Sequence, residues 1–129
     1  MSFKYSYNTI VYTGEDYATQ SARVAKYGYD AIELVGEPTW YDFKEVNKIN
    51  ADNGIRVSSI CSIFMEGRDL IHSEKQEREK AINYCKEIAD MTGEVGGFCF
   101  ASLFLCQLSS DPVATLVQPE TAASLGGPW

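Results

Sequence analysis

Apolar and aromatic residues fall in short clusters separated by polar stretches, and the spacing inside each cluster predicts an alternation of strands and helices. Tyr5, Tyr7, Ile10 and Val11 form the first cluster, which stops at Thr13-Gly14 and predicts a strand starting near residue 5. Glu15 and Asp16 then suit the positive end of a helix. Tyr17, Ala18, Ala22 and Ala25 recur near helical spacing, and Gly28 stands where a left-handed residue would close that helix. Ala31-Ile32-Glu33-Leu34-Val35 is a mainly apolar run between turn residues, the pattern of a strand buried in a parallel sheet. Phe43, Val46 and Ile49 share one stripe of a helix over 42–53 that ends at Gly54, and Ile55, Val57, Ile60 and Ile63 mark a third strand. Ser73-Glu74-Lys75-Gln76 reads as a capping box opening a helix that runs to Gly93, with Ala81, Ile82, Cys85, Ile88 and Ala89 on its apolar face.

Strand starts near residues 5, 31 and 57 are 26 apart, so the unit is a repeated βα module with right-handed crossovers. Such modules close into a doubly wound sheet or into an eight-unit barrel, and unit length alone does not choose. The 129 residues are enough for one domain or for a piece of a larger one.

Charge removes several function classes. With 11 Lys+Arg against 18 Asp+Glu the net charge is -7 and the pI near 4.6, which argues against a protein that binds nucleic acid by neutralising phosphates. Residues 98–106 make the longest apolar run, less than half of the ~20 residues a membrane helix needs. The amino terminus turns polar at Ser6 and Asn8 before any export-type apolar region forms, so the cytoplasm is the expected compartment. Cys61, Cys85, Cys99 and Cys106 lack CxxC spacing and read as reduced and mostly packed. All 11 Lys+Arg lie at or before Lys86, and Asp111 and Glu120 are the only charged residues after Glu94. Residues 98–106 still suit a fourth strand, while 107–129, with Pro112, Pro119, Pro128 and Gly126-Gly127, predict an irregular tail.

In parallel α/β folds reactive groups gather where strands end, which directs attention to Tyr7-Asn8, Glu33 and Cys61-Ser62. Asn8 and Ser62 can bond hydroxyls, Tyr7 can stack on a sugar face, and Glu33 can fix a hydroxyl or act as a base, a set that suits a polyol. The alternative is that Glu33 makes a structural ion pair and the others pack. His72, the single histidine, reads as a loop residue beside the Ser73 cap, with Glu66 and Asp69 as solvated charges in the same loop, and one imidazole cannot build a zinc site. Cys61, flanked by Ile60 and Ile63, reads as a core cysteine rather than a nucleophile. GxGxxG, P-loop and GxSxG patterns are absent from the sequence, which withholds the usual support for dinucleotide, nucleotide and α/β-hydrolase chemistry.

Lys4-Tyr5-Ser6-Tyr7-Asn8-Thr9, Gly28-Tyr29-Asp30-Ala31-Ile32-Glu33-Leu34, Val57-Ser58-Ser59-Ile60-Cys61, and Asp69-Leu70 leading to Arg78-Glu79-Lys80-Ala81-Ile82-Asn83-Tyr84 together resemble the sugar phosphate isomerase/epimerase family with its xylose isomerase-like TIM barrel. The resemblance covers about residues 3 to 93. It implies an α/β fold, a partial TIM barrel of about three to four βα units with an irregular C-terminal tail. Residues 1–97 are then the amino-terminal half of the barrel and 98–129 a divergent tail, out of frame or otherwise foreign, on an amino-terminal fragment. It further implies ketose/aldose isomerisation or epimerisation of a small-molecule sugar or sugar phosphate through an enediolate. The full-length family member is expected to use a divalent metal (Mn, Mg or Zn) held on later strands. By position, Tyr7, Asn8, Glu33, Cys61 and Ser62 carry over as substrate-binding residues, with no catalytic residue, metal ligand or cofactor in this chain. The related apurinic endonucleases would need histidines at early strand ends, where this sequence has Glu33 and Cys61-Ser62. The alternative reading is a non-catalytic half-barrel fragment or interaction module, whose open sheet leaves room for self-association.

Overall fold

Four strands, β1 (Ser6–Asn8), β2 (Ala31–Val35), β3 (Arg56–Ile63) and β4 (Cys99–Leu103), pair in chain order and all in parallel. They belong to a computed structural model that describes residues 3–65 and 67–103. The expected tail over 107–129, along with Glu66, Cys106 and the rest of 104–129, lies outside the described residues. A doubly wound sheet reverses its strand order at a switch point, whereas a barrel adds each strand beside the last. The order β1-β2-β3-β4 is therefore an arc of barrel, and the α/β partial barrel is the observed fold class.

Three helices, α1 (Tyr17–Lys26), α2 (Phe43–Asn53) and α3 (Lys75–Glu94), follow the first three strands. Asp16 caps α1 by accepting from the Thr19 N–H, and Asp42 caps α2 by accepting from the N–H groups of Lys44 and Glu45. Gly54 ends α2 at φ 67°, a left-handed conformation that an L side chain would strain. One sheet face, carrying Ile32, Leu34, Val57 and Ile60, is buried under Val24 of α1, Val46 of α2 and Tyr84, Ile88 and Met91 of α3. Each such side chain contributes roughly 1.5–3 kcal/mol when fully buried, so this outer layer holds the arc together. No helix of the described residues is long and apolar enough to cross a membrane.

Several elements differ from the sequence pattern. β1 ends at Asn8 because its side chain accepts the Ile10 N–H at 2.8 Å, starting a 3-10 turn over Thr9–Tyr12 that leaves Ile10 and Val11 exposed instead of in a strand. On α1 the buried positions are Gln20, Ser21 and Val24, with Ala18 and Ala22 outside. Polar groups win that face because Ser21 Oγ donates to Asn50 Oδ1 of α2 at 3.0 Å and Gln20 Nε2 donates to the Tyr12 and Glu15 carbonyls. On α3 the cap is Glu74, with no side-chain cap bond, and the Ser73 capping box does not form. The His72 imidazole takes its place, Nδ1 accepting from the Glu74 N–H at 3.0 Å, while Arg78 Nη1 donates to the His72 and Ser73 carbonyls. The buried face of α3 is Ala81, Tyr84, Ile88, Met91 and Thr92, and Ile82 and Ala89 lie outside it. Tyr84 displaces the expected Ile82 and Cys85 because its hydroxyl finds two backbone partners at the end of the sheet.

Candidate functional site

The second face of the sheet, turned away from the helices, gathers hydroxyls and one carboxylate. Alternation along the strands puts Asn8, Glu33 and Ser59 on this face in adjacent register positions. Asn8 Nδ2 donates to Glu33 Oε2 at 2.6 Å and Ser59 Oγ donates to Glu33 Oε1 at 2.7 Å, so both carboxylate oxygens accept from neighbouring strands. Ser58 Oγ lies 3.3 Å from Ser59 Oγ and 2.6 Å from Ser6 Oγ, extending the cluster to five polar side chains besides Glu33 itself or its donors' backbone. A half-buried carboxylate with fixed orientation can accept from a polyol hydroxyl, and the neighbouring serines can donate or accept in turn.

Ser58 and Ser59 both reach this cluster because the β2–β3 register slips between Ile32 and Glu33, where Val57 pairs with Ile32 and Ser59 with Glu33. One residue of β3 is thereby left over, as in a bulge. The signal stands in the sequence: Val57 and Ile60 are three apart, and an odd spacing puts both on the helix-covered face only with an extra residue between them.

The remaining expected site residues separate. Cys61 shares the face of Glu33 through its pairing with Val35 and is buried, in keeping with a packed thiol. Ser62 points elsewhere: it is buried and its Oγ donates to the Ala101 carbonyl at 2.9 Å. Tyr7 occupies the opposite face from Asn8 and Glu33, stacked on Tyr12 with ring centroids 5.7 Å apart and edge-on to Tyr29 at 5.2 Å. The three described cysteines are free thiols, Cys61 buried, Cys85 half-buried and Cys99 exposed.

A second constellation sits where β2 and β3 end, the side on which barrel chemistry takes place. Tyr84 Oη donates to the Gly36 carbonyl at 2.7 Å and accepts from the Ile63 N–H at 2.9 Å. Burial pushes the Tyr84 hydroxyl above the usual tyrosine range. Arg68 lies 3.9 Å above the Tyr84 ring and donates to both oxygens of Glu37, at 2.6 and 2.9 Å. That hydrogen bonding raises the guanidinium above its ordinary value. The sequence pattern missed Glu37, Arg68 and Tyr84, since nothing in local periodicity links positions 31 and 48 residues apart.

Among the described residues, no three His, Cys, Asp or Glu side chains come together as metal ligands, and both Glu33 oxygens are already engaged. Residues 3–103 therefore do not fit the divalent ion that the resemblance implies.

Residues 21–115 match the model of a family described as xylose isomerase-like TIM barrel. Among solved structures, D-allulose 3-epimerase from Methylomonas sp. in complex with D-allulose is 19% identical at a TM-score of 0.69, over 85% of this chain and 40% of that one. D-Psicose 3-epimerase with D-tagatose from Clostridium cellulolyticum is 17% identical at 0.68, over 78% and 37%. A sugar phosphate isomerase/epimerase from Parabacteroides distasonis is 25% identical at 0.59, over 77% and 38%. The chain thus spans between 37% and 40% of the length of these structures. No curated protein matches it.

Proposed function

The chain belongs to the xylose isomerase-like TIM barrel family, and from that premise we propose that its inner sheet face is a sugar-binding wall of a ketose isomerase or epimerase, with Glu33 holding a substrate hydroxyl. The observation that carries this reading is the Glu33 carboxylate fixed by Asn8 and Ser59 on the face a barrel turns inward. The reaction implied for such an enzyme removes a proton from carbon beside a carbonyl and returns it by way of an enediolate. Within it, Glu33 and Ser59 bind and orient the sugar, Cys61 packs beside them, and the Tyr84–Gly36 and Arg68–Glu37 contacts hold the loops that rim the pocket. Tyr7 and Ser62, on the other face, support the wall from behind. The divalent ion implied by the resemblance, Mn, Mg or Zn, is proposed to be held outside residues 3–103, and the compartment is proposed to be the cytoplasm.

Titration of D-fructose into the purified chain, followed by saturation-transfer NMR, tests the reading. Saturable binding is expected, weakened about tenfold or more in Glu33→Gln, as the loss of a charged hydrogen bond worth about 1.5–3 kcal/mol requires. Absence of saturable binding by the unmodified chain overturns it. Exchange of the sugar's C–H proton with deuterated solvent, with Mn added, then separates an enzyme from a binding module.

A further inference from the structure

We propose that two copies of this chain close one barrel around a shared cavity, β4 of each copy pairing with β1 of the other. The strand order supplies the argument. Among the described residues β1 pairs only with β2 and β4 only with β3, so the arc has two open edges. All four strands are parallel and run in chain order, so the partner's β1 laid beside β4 continues the sheet with the same polarity and the same inward face. The family's fold closes on eight strands. Two four-stranded arcs related by a two-fold along the barrel axis satisfy that number, and closure removes both edges at once, where an open parallel edge is a template for unregulated pairing.

The side chains at the two ends of the arc suit coverage. Phe98 and Phe100 flank and form β4 and are exposed, and Tyr5, Ile10 and Val11 are exposed on either side of β1. Behind β1, Tyr7, Tyr12, Tyr27 and Tyr29 with Arg23 line a cleft of about 360 Å³ that a neighbouring layer would fill.

Closure has a consequence for the site, which rests on the sugar reading given above. Glu33 stands on the second strand of its arc, and the two-fold puts the partner's Glu33 on the opposite wall of the same cavity. One sugar would then lie between two carboxylates, each oriented by its own Asn8 and Ser59, and the stoichiometry is one sugar per two chains.

Light scattering of the full chain, coupled to size exclusion, reads the assembly without any ligand. The expected mass is twice 14.4 kDa. Amide hydrogen exchange is expected to show β1 and β4 as protected as β2 and β3. A mass of 14.4 kDa with fast exchange at β1 and β4, or open-ended polymers, overturns closure. Phe100→Glu is expected to halve the mass while Trp40→Glu, away from both edges, leaves it unchanged. Because the exchange measurement uses the unmodified chain, the proposal stays falsifiable where Phe100→Glu does not fold. A closed dimer that binds no D-fructose supports closure and removes the sugar reading, whereas a monomer that binds D-fructose does the reverse.

Discussion

Gly36 has no room for a side chain. A Cβ there would stand 2.8 Å from Ser62 Cα, 2.9 Å from the Cys61 carbonyl oxygen and 2.9 Å from Tyr84 Oη, two of them backbone atoms that cannot swing aside. Gly36→Ala is therefore expected to lower stability by about 1–3 kcal/mol, the range of overpacked cores, as a shifted urea midpoint. Tyr84→Phe keeps the ring under Arg68 but leaves the Gly36 carbonyl and the Ile63 N–H without their hydroxyl partner. Its expected cost, about 1–3 kcal/mol for stranded buried polar groups, is read from the same midpoint. Neither residue was legible as a partner of the other, because 48 positions separate them and only the tertiary fold brings them together. Asn8 and Glu33 were legible as neighbours in kind, since strand ends 25 positions apart in a 26-residue repeat fall side by side.

At the scale of elements, the caps are where single substitutions act on whole helices. Asp42→Ala removes the acceptor for two N–H groups of α2 and is expected to cost about 1 kcal/mol, measured by thermal unfolding at neutral pH. Two other carboxylates link stability to pH. Hydrogen bonds from the Thr19 N–H and hydroxyl hold Asp16 below its ordinary value of 3.8, and Lys4, with the Tyr5 N–H, does the same for Asp30. A carboxyl whose folded value is depressed stabilises the fold at pH above its unfolded value and loses that contribution as pH falls through the folded one. Asp16→Ala and Asp30→Asn are thus expected to be less stable than the unmodified chain at neutral pH, with the gap closing in acid below 3.8. A gap that stays constant through the acid titration assigns the loss to something other than these charges. Helix α2 was legible because Phe43, Val46 and Ile49 sit between an Asp cap and a left-handed Gly. The faces of α1 and α3 were not, because Ser21 and Tyr84 are buried for hydrogen bonds, and a count of apolar spacing does not register those.

For the whole molecule, the 26-residue repeat made βα units legible but left barrel and doubly wound sheet equivalent, since both use the same module. The parallel order β1-β2-β3-β4 separates them, and it also leaves the arc with two open edges among the described residues. Those edges connect assembly to stability. A barrel closed by two chains buries β1 and β4 only in the dimer, so folding is linked to association by mass action. The thermal midpoint of the chain is then expected to rise with protein concentration, because each additional increment of chain favours the species in which all eight strands are paired. A hundredfold concentration series followed by circular dichroism measures this directly. Under closure the midpoint climbs and one transition is seen throughout, since the outer helices and the inner polar cluster share the strands that the partner completes. A midpoint that does not move across the series means that the four-stranded arc holds its fold alone, with the buried layer of Ile32, Leu34, Ile60, Ile88 and Met91 sufficient for it.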